Sequence, residues 1–593
     1  MSDTIYTSLE ADKDQIRILE LLPGDFIEPI RCRLLVESTS TTYEALSYVW
    51  GDVDYKLTID VQGQQMPLTR NLESGLRHIR RESEIRRLWV DALCINQDDL
   101  LERRHQIGLM GRIYKGAERV IVWLGPERIV IPIQAIQAIR ELGSGPGVHW
   151  NPATSYDFGY GLRTLIRLLL EWTNNDWYKR IWTVQEEILA KSLVYKYGSF
   201  VFQSDEINRL IHSYHRHFIT LRCCDVSRIG VDRSDDQRRL REYVSGILRM
   251  ISVRNRNPPY SFLEIASSFR SRMATDPHDK IFGIIGLTDD LSPEIINYES
   301  SMADLYTQTA FELIQKTGNL DIFSHASLRA LPQSNYLAQN LPSWVPDWSP
   351  LKLEHSICLS ARQYYTNKFN ACSYSSPAHP KRYAQTYLGL RGLVCDAIAK
   401  VGARQESGGM LVRTALGWRY MAKVDQEPDR LYVSGSTIFD AYWRTLCMDI
   451  VMTSSYIRRA DERTRIKYDE WSQIFQSARG DSVVGSPVVG RLPYHLRSFD
   501  RHVRTVGVGR RLFLSKRGYL GLAPGNAKVG DEIWVLDGGR LPLILRPSAK
   551  ELHEEPDPEY SLVGDAYVHG IMDGEVVEDA KKRGIMPTPV ILK

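Results

Sequence analysis

Residues 17–38, RILELLPGDFIEPIRCRLLVES, alternate apolar and polar positions on either side of Pro-Gly-Asp, which predicts two short strands joined by a turn. TYEALSYVWGD (42–52) is a short apolar and aromatic run closed by Gly-Asp, as a buried strand would be. NLESGLRHIRR then places Leu72, Leu76 and Ile79 on one helical face, with Asn71 as the candidate N-cap. RLWVDALCINQDD (87–99) reads as a strand ending in polar residues, with Asp91 in its middle. LLERRHQIGLMGRIYKGA (100–117) sets Ile107, Met110 and Tyr114 on one helical face, and RVIVWLGP (119–126) is nearly all apolar, as a central parallel strand is. Residues 42–126 thus read strand, helix, strand, helix, strand, which predicts an α/β domain with a mainly parallel sheet. Ligands of such sheets bind beyond the carboxyl ends of the strands. Those ends carry Trp50-Gly51-Asp52, Asn96-Gln97-Asp98 and Gly125-Pro126.

Downstream, residues 161–190 read as two helices broken at Thr-Asn-Asn-Asp, and 192–204 as a hairpin bending at Gly198. Residues 205–275 are helical and charged, 271–287 carry a turn and an apolar helix, and 303–316 show helical spacing. From about residue 505, short β runs alternate with Gly, Asn and Pro, which predicts a small all-β barrel or sandwich. The expected organisation is an α/β domain over 1–205, a mainly helical region over 206–350, a mixed region over 351–500 and a small β module over 501–593.

Composition narrows the class. Hydrophobic content of 43% and charged content of 25% in 593 residues suit a globular protein with real cores. A net charge of +3, with Lys and Arg interleaved among acids, excludes the concentrated basic stripe of a nucleic-acid binder. No apolar run approaches a membrane span, and MSDTIYTSLEADKDQ has no apolar core, so no signal peptide is expected. Eight cysteines, scattered apart from the pair Cys223-Cys224, form no disulfide framework, which predicts a reduced, cytoplasmic protein. His212, His215 and His217 beside that pair follow no familiar zinc spacing, and no metal or resident cofactor is expected. Cys94 reads as a small core residue. A hydrolase built on Cys94 or Ser47 finds no triad spacing in support. No GxGxxG and no phosphate-binding GxxxxGK[ST] run occurs, and the glycines of GLAPG (521–525) read as β-turn residues.

Three blocks together resemble the fungal heterokaryon incompatibility (HET) domain: YEALSYVWGD (43–52), LWVDALCINQDDLLERRHQIGLMGRIYKGAERVIVWLG (88–125) and WYKRIWTVQEEILA (177–190). The resemblance covers roughly 43–200. It implies a role in non-self recognition and regulated cell death in filamentous fungi, through self-association or a second incompatibility protein. HET domains are in turn remotely similar to Toll/interleukin-receptor (TIR) domains. Many of these carry a helical Trp followed four residues later by Glu, here Trp182 and Glu186, and NAD-cleaving members use that glutamate. Other TIR domains are non-enzymatic assembly modules, so the resemblance carries both readings.

A carboxylate suits NAD cleavage because breaking the nicotinamide–ribose bond develops positive charge at C1′. Trp182 and Glu186 are i and i+4 on a helix and share a face. Trp182 would wall the ligand, and Gln185 and Arg180 would hold ribose or phosphate. Glu187, about 100° further round, should face solvent. In the structural alternative, Glu186 pairs with Arg180 or Arg112 and only orients its helix. Asp91 either contacts ligand or a pocket residue, or caps a loop or pairs with Arg103 or Arg104. Asn96 and Gln97 either meet a nucleotide or cap the next helix, and Trp50, Gly51 and Asp52 are open to the same two readings.

Overall fold

The computed structural model describes residues 5–593 apart from 11–12, 53, 55, 146, 152, 154–155, 222, 225–233, 257–258, 327–339, 351–364, 374–375, 385, 407–410, 453–456, 478–491 and 549–557. Parts of the stretch expected to be helical (205–275) and of the mixed region (351–500) therefore lie outside the described residues. The chain forms two compact units, Met1–Asn297 and Tyr298–Lys593.

The first unit is built on one sheet. A hairpin of β1 (Gln15–Leu21) and β2 (Arg31–Ser38) opens it, as the alternation around Pro-Gly-Asp predicts. There follow β3 (Glu44–Ser47), β4 (Lys56–Val61), β5 (Gln64–Thr69), α1 (Arg70–Ile79), β6 (Arg86–Trp89), α2 (Asp91–Cys94), α3 (Leu100–Gly116), β7 (Arg119–Trp123), α4 (Ile133–Ser144), α5 (Tyr156–Thr173), α6 (Thr183–Ile188), β8 (Leu193–Tyr197), β9 (Phe200–Gln203), α7 (Ser204–Tyr214), α8 (Ser234–Arg254), α9 (Phe262–Ser268) and α10 (Asp279–Ile285). Across the sheet the order is β5-β4-β2-β1-β6-β3-β7-β8-β9. The expectation of a mainly parallel sheet is corrected: β6, β3, β7 and β8 run parallel, but the sheet is mixed. The pair β1–β2 closes through the longer connection 22–30 and the pairs β4–β5 and β8–β9 through two-residue turns, and all three pair antiparallel. The last of them bends at Gly198, whose φ of +53° favours glycine.

Sequence patterning explains how the helices dock. Leu72, Leu76 and Ile79 of α1 are buried, each worth about 1.5–3 kcal/mol relative to exposure. Its N-cap is Thr69, whose Oγ1 accepts from the Leu72 amide, and not Asn71, whose side chain instead donates to the Val49 carbonyl at 2.6 Å. α3 buries Ile107, Met110 and Tyr114, as its spacing predicts. It crosses α10 at Gly111 and Gly286, where a side-chain carbon on Gly111 would stand 2.9 Å from the Gly286 Cα. Only glycine permits that approach.

The second unit holds a sheet built from 387–404, 510–515, 520–524, 532–536, 543–547, 559–565, 567–568 and 588–592. The long strand Tyr387–Arg404 pairs with 588–592, 532–536 and 510–515 in turn. Its pairing with 532–536 closes 532–536, 543–547, 559–565, 588–592 and 387–404 into a ring. The C-terminal β runs expected from sequence are present, and 387–404 completes their sheet. Among the described residues no helix is long and apolar enough to cross a membrane.

Candidate functional site

β3 ends at Ser47, beside β6 on one side and β7 on the other, so it is the strand at which chain order reverses across the parallel strands. Such reversal points are where open α/β sheets bind ligands. After β7, Asn175 donates its side-chain amide to the Leu124 carbonyl at 2.7 Å and caps a 3-10 turn, Asp176–Lys179. That turn holds Trp177 fully buried, its indole Nε1 donating to Ser47 Oγ at 2.7 Å. Ser47 Oγ in turn donates to Glu186 Oε2. Indole N–H can only donate, so the single Ser47 proton is committed to the carboxylate.

Glu186 is 5% exposed, on the short helix α6. Burial raises its pKa, against the Ser47 hydrogen bond and the Arg180 charge, which lower it, with Asp91 adding a further upward push, to about 7. No ion pair to it occurs among the described residues. Arg112 is held by Asp14, and Arg180 donates to the Tyr48 carbonyl at 2.8 Å. The buried Tyr48 hydroxyl stands near Asp91, Arg180 and Glu186; burial, then Asp91, pushes its pKa well above 10. Tyr48, Asp91, Arg180 and Glu186 thus form one polar cluster, with half-buried Asp91 and Arg180 toward the outside.

Asp91 is not in a strand. β6 stops at Trp89, and Asp91 begins the one-turn helix α2, its Oδ1 accepting from the Ala92 amide. Its other oxygen accepts from Trp50 Nε1 at 2.9 Å, and its carbonyl accepts from Gln97 Nε2 at 3.0 Å. Trp50, Asp91 and Gln97 are therefore brought together. Gly51 (φ +76°) and Asp52 are exposed, and Asp52 accepts from the Asp54 amide. Asn96 turns its carbonyl oxygen to the Asp98 amide, and the α3 cap is Asp99, which accepts from the Leu101 and Glu102 amides.

α6 spreads its other polar residues apart. The Trp182 indole lies against Gly283 of α10. Gln185 is buried with its Oε1 against Gly286, and its Nε2 finds no partner. Both lie against α10 and the glycine that caps it. Glu187, expected in solvent, is 3% exposed and accepts from the Tyr195 hydroxyl at 3.2 Å. Burial raises its pKa against the charges of Arg272 and Arg254. The reason is that α6 packs against α3, α8 and α10, so it has no solvent face.

Cys94 is a core thiol. It accepts from the Val90 amide at 3.3 Å, and burial pushes its pKa up to about 12. Sequence reasoning placed Ser47 only in an unsupported hydrolase reading and missed Tyr48 and Trp177 altogether, although all three stand in the blocks YEALSYVWGD and WYKRIWTVQEEILA. In the second unit a cavity of about 740 Å³ is lined by Arg444, Asp449, Arg459, Asp573 and His569 among others. Two of its arginines, Arg444 and Arg459, both hold Asp449.

Residues 43–186 match the heterokaryon incompatibility protein (HET) family, and residues 499–586 the Het-6 beta-barrel domain. Over 97% of its length the chain is 26% identical to "Heterokaryon incompatibility protein 6, OR allele" of Neurospora crassa, covering 96% of that protein. No solved structure matches. The chain is thus similar to heterokaryon incompatibility proteins, with the HET match lying in its first unit and the Het-6 barrel match in its second.

Proposed function

We propose that this chain acts in fungal non-self recognition and regulated cell death, and that its first unit hydrolyses NAD with Glu186 as the catalytic group. The observation that carries this reading is a buried glutamate without an ion pair at the carboxyl ends of parallel strands, held by a single hydroxyl donor. The four parallel strands β6-β3-β7-β8, with the order reversing at β3, are compatible with the TIR likeness of the sequence blocks. In the reaction, the C1′–nitrogen bond breaks and its electron pair passes to the nicotinamide ring nitrogen. The ionised Glu186 carboxylate stabilises the positive charge left on the ribose. Water adds at C1′ and its proton leaves to Glu186 or to solvent. Asp91 and Arg180, the half-buried members of the cluster, and Trp50, which donates to Asp91, would contact the substrate.

Purified full-length protein incubated with NAD, dilute and concentrated, is expected to release nicotinamide, faster per chain when self-association is favoured. Glu186→Ala, with its far-UV spectrum unchanged, should lose that release by roughly 100-fold or more. Failure of the wild-type chain to release nicotinamide under either condition rejects the enzymatic reading.

A second reading has its own support: Glu186 is almost wholly enclosed, and its bond to Ser47 fastens α6 to β3. There the unit is a non-catalytic assembly module that triggers death by recruiting a partner. Expression in fungal cells separates the two. Glu186→Ala abolishes toxicity in the first reading and spares it in the second.

A further inference from the structure

His149, His217, Cys223 and Cys224 present their ligand atoms within 4.8 Å of one another, although His149 lies far from the others in sequence. Cys223 Sγ is 3.1 Å and Cys224 Sγ 3.7 Å from His217 Nδ1, and Cys224 Sγ is 3.4 Å from His149 Nδ1. Tetrahedral zinc, with Zn–S of about 2.3 Å and Zn–N of about 2.0–2.1 Å, separates its ligands by about 3.3–3.8 Å. The Cys224 distances of 3.4 and 3.7 Å fall in that range, the His217–Cys223 distance of 3.1 Å is slightly shorter, and all four ligand atoms lie within 4.8 Å of one another. Two thiolates and two imidazoles are also the donor set of structural zinc.

The fold builds this convergence. α7 passes at its C-terminus into a π-helical turn, His215–Thr220, of a kind that often marks functional positions. The turn buries His217 to 1% exposure, and the chain folds back so that the Cys223 amide donates to the His217 carbonyl at 3.0 Å. From the α4–α5 connection, Trp150 anchors His149 above this turn. Its indole donates to Ser213 Oγ at 3.0 Å and packs edge-on against Tyr214 and Phe218. The His149 and His217 rings stand 4.8 Å apart. His212 is exposed, and His215 pairs its Nδ1 with the Thr220 hydroxyl, so neither joins the cluster.

We propose that His149, His217, Cys223 and Cys224 bind one zinc ion in a closed structural site. The ion would clip the α4–α5 connection to the end of α7. Four protein ligands leave no open position for catalysis, so the site is independent of the Glu186 reading.

The full chain, purified under reducing conditions without chelators, is expected to carry about one zinc per chain by elemental analysis. Cys223→Ser/His149→Ala should lose most of it, whereas His212→Ala keeps it; His149 and Cys223 are exposed, so their loss removes little packing. Titration of the chelator-stripped wild-type chain with cobalt(II) supplies a second test that needs no variant. It should yield the visible bands of tetrahedral thiolate-bound cobalt, saturating at about one equivalent. A reduced chain that neither carries zinc nor develops those bands overturns the proposal. So does zinc that Cys223→Ser/His149→Ala retains in full.

Discussion

Asp565→Ala is expected to destabilise the second unit by about 3–5 kcal/mol, the cost of leaving a buried charge without its partner. Asp565 and Arg510 are each 1% exposed. The guanidinium is bound at three points, to the Asp565 carboxylate, to its carbonyl at 2.7 Å and to the Leu522 carbonyl at 3.4 Å. Asp565 ends the strand that pairs with 543–547, and Arg510 begins the strand 510–515, so the ion pair links two parts of the C-terminal sheet. Urea denaturation should show a markedly lower midpoint for Asp565→Ala. Arg510→Met/Asp565→Ala, which removes both charges, should recover much of the loss. A single-variant cost below about 1 kcal/mol would mean that water reaches the guanidinium.

Glu186→Gln is expected to stabilise the first unit at alkaline pH by about 3 kcal/mol and to leave it unchanged near pH 4. In the folded chain Glu186 titrates at about 7, against an ordinary value of 4.5. The fold therefore holds the proton more tightly than the unfolded chain does. Below the ordinary value both states are protonated and nothing is lost. Stability falls as pH rises from about 4.5 to about 7 and then stays down, since the buried group must carry its charge. Glutamine keeps an oxygen to accept from Ser47 and never ionises, so it escapes that loss. Denaturation curves of both proteins from pH 4 to 9 measure the gap. A gap independent of pH would place the Glu186 titration at its ordinary value.

Patterns of apolar period were readable wherever one face of an element meets the core and the other meets water. The β2 strand, α1 and α3 are of this kind, whereas β7 is readable as an unbroken apolar run buried on both faces and the bend at Gly198 as a turn glycine. Two things were not readable. LWVDALCI has the length and apolarity of a strand, but it breaks at Val90 because Asp91 and Cys94 satisfy the amides of Ala92 and Val90 locally. A helix of four residues carries too little period to reveal itself. Glu187 was assigned to water on helical geometry, but α6 is enclosed by α3, α8 and α10. Direction along a helix is local, whereas burial depends on what packs around it.

The candidate site was legible in part. Glu186 stands out in its motif, and no ion pair to it occurs among the described residues. Ser47, which donates to it, and Trp177, which donates to Ser47, come from separate segments whose meeting depends on the β3–β7 pairing and on the Asn175 bond to Leu124. The meeting of His149 with His217, Cys223 and Cys224 is hidden in the sequence for the same reason, since His149 enters from the α4–α5 connection.

The most direct measurement is nicotinamide release from NAD by the wild-type chain and by Glu186→Gln across pH 5 to 9, at equal folded concentration. The account predicts a wild-type rate that rises with a midpoint near pH 7, as the buried carboxylate ionises, and a glutamine variant slower by roughly 100-fold or more at every pH. Equal rates for the two proteins, or no release by the wild-type chain, would contradict it.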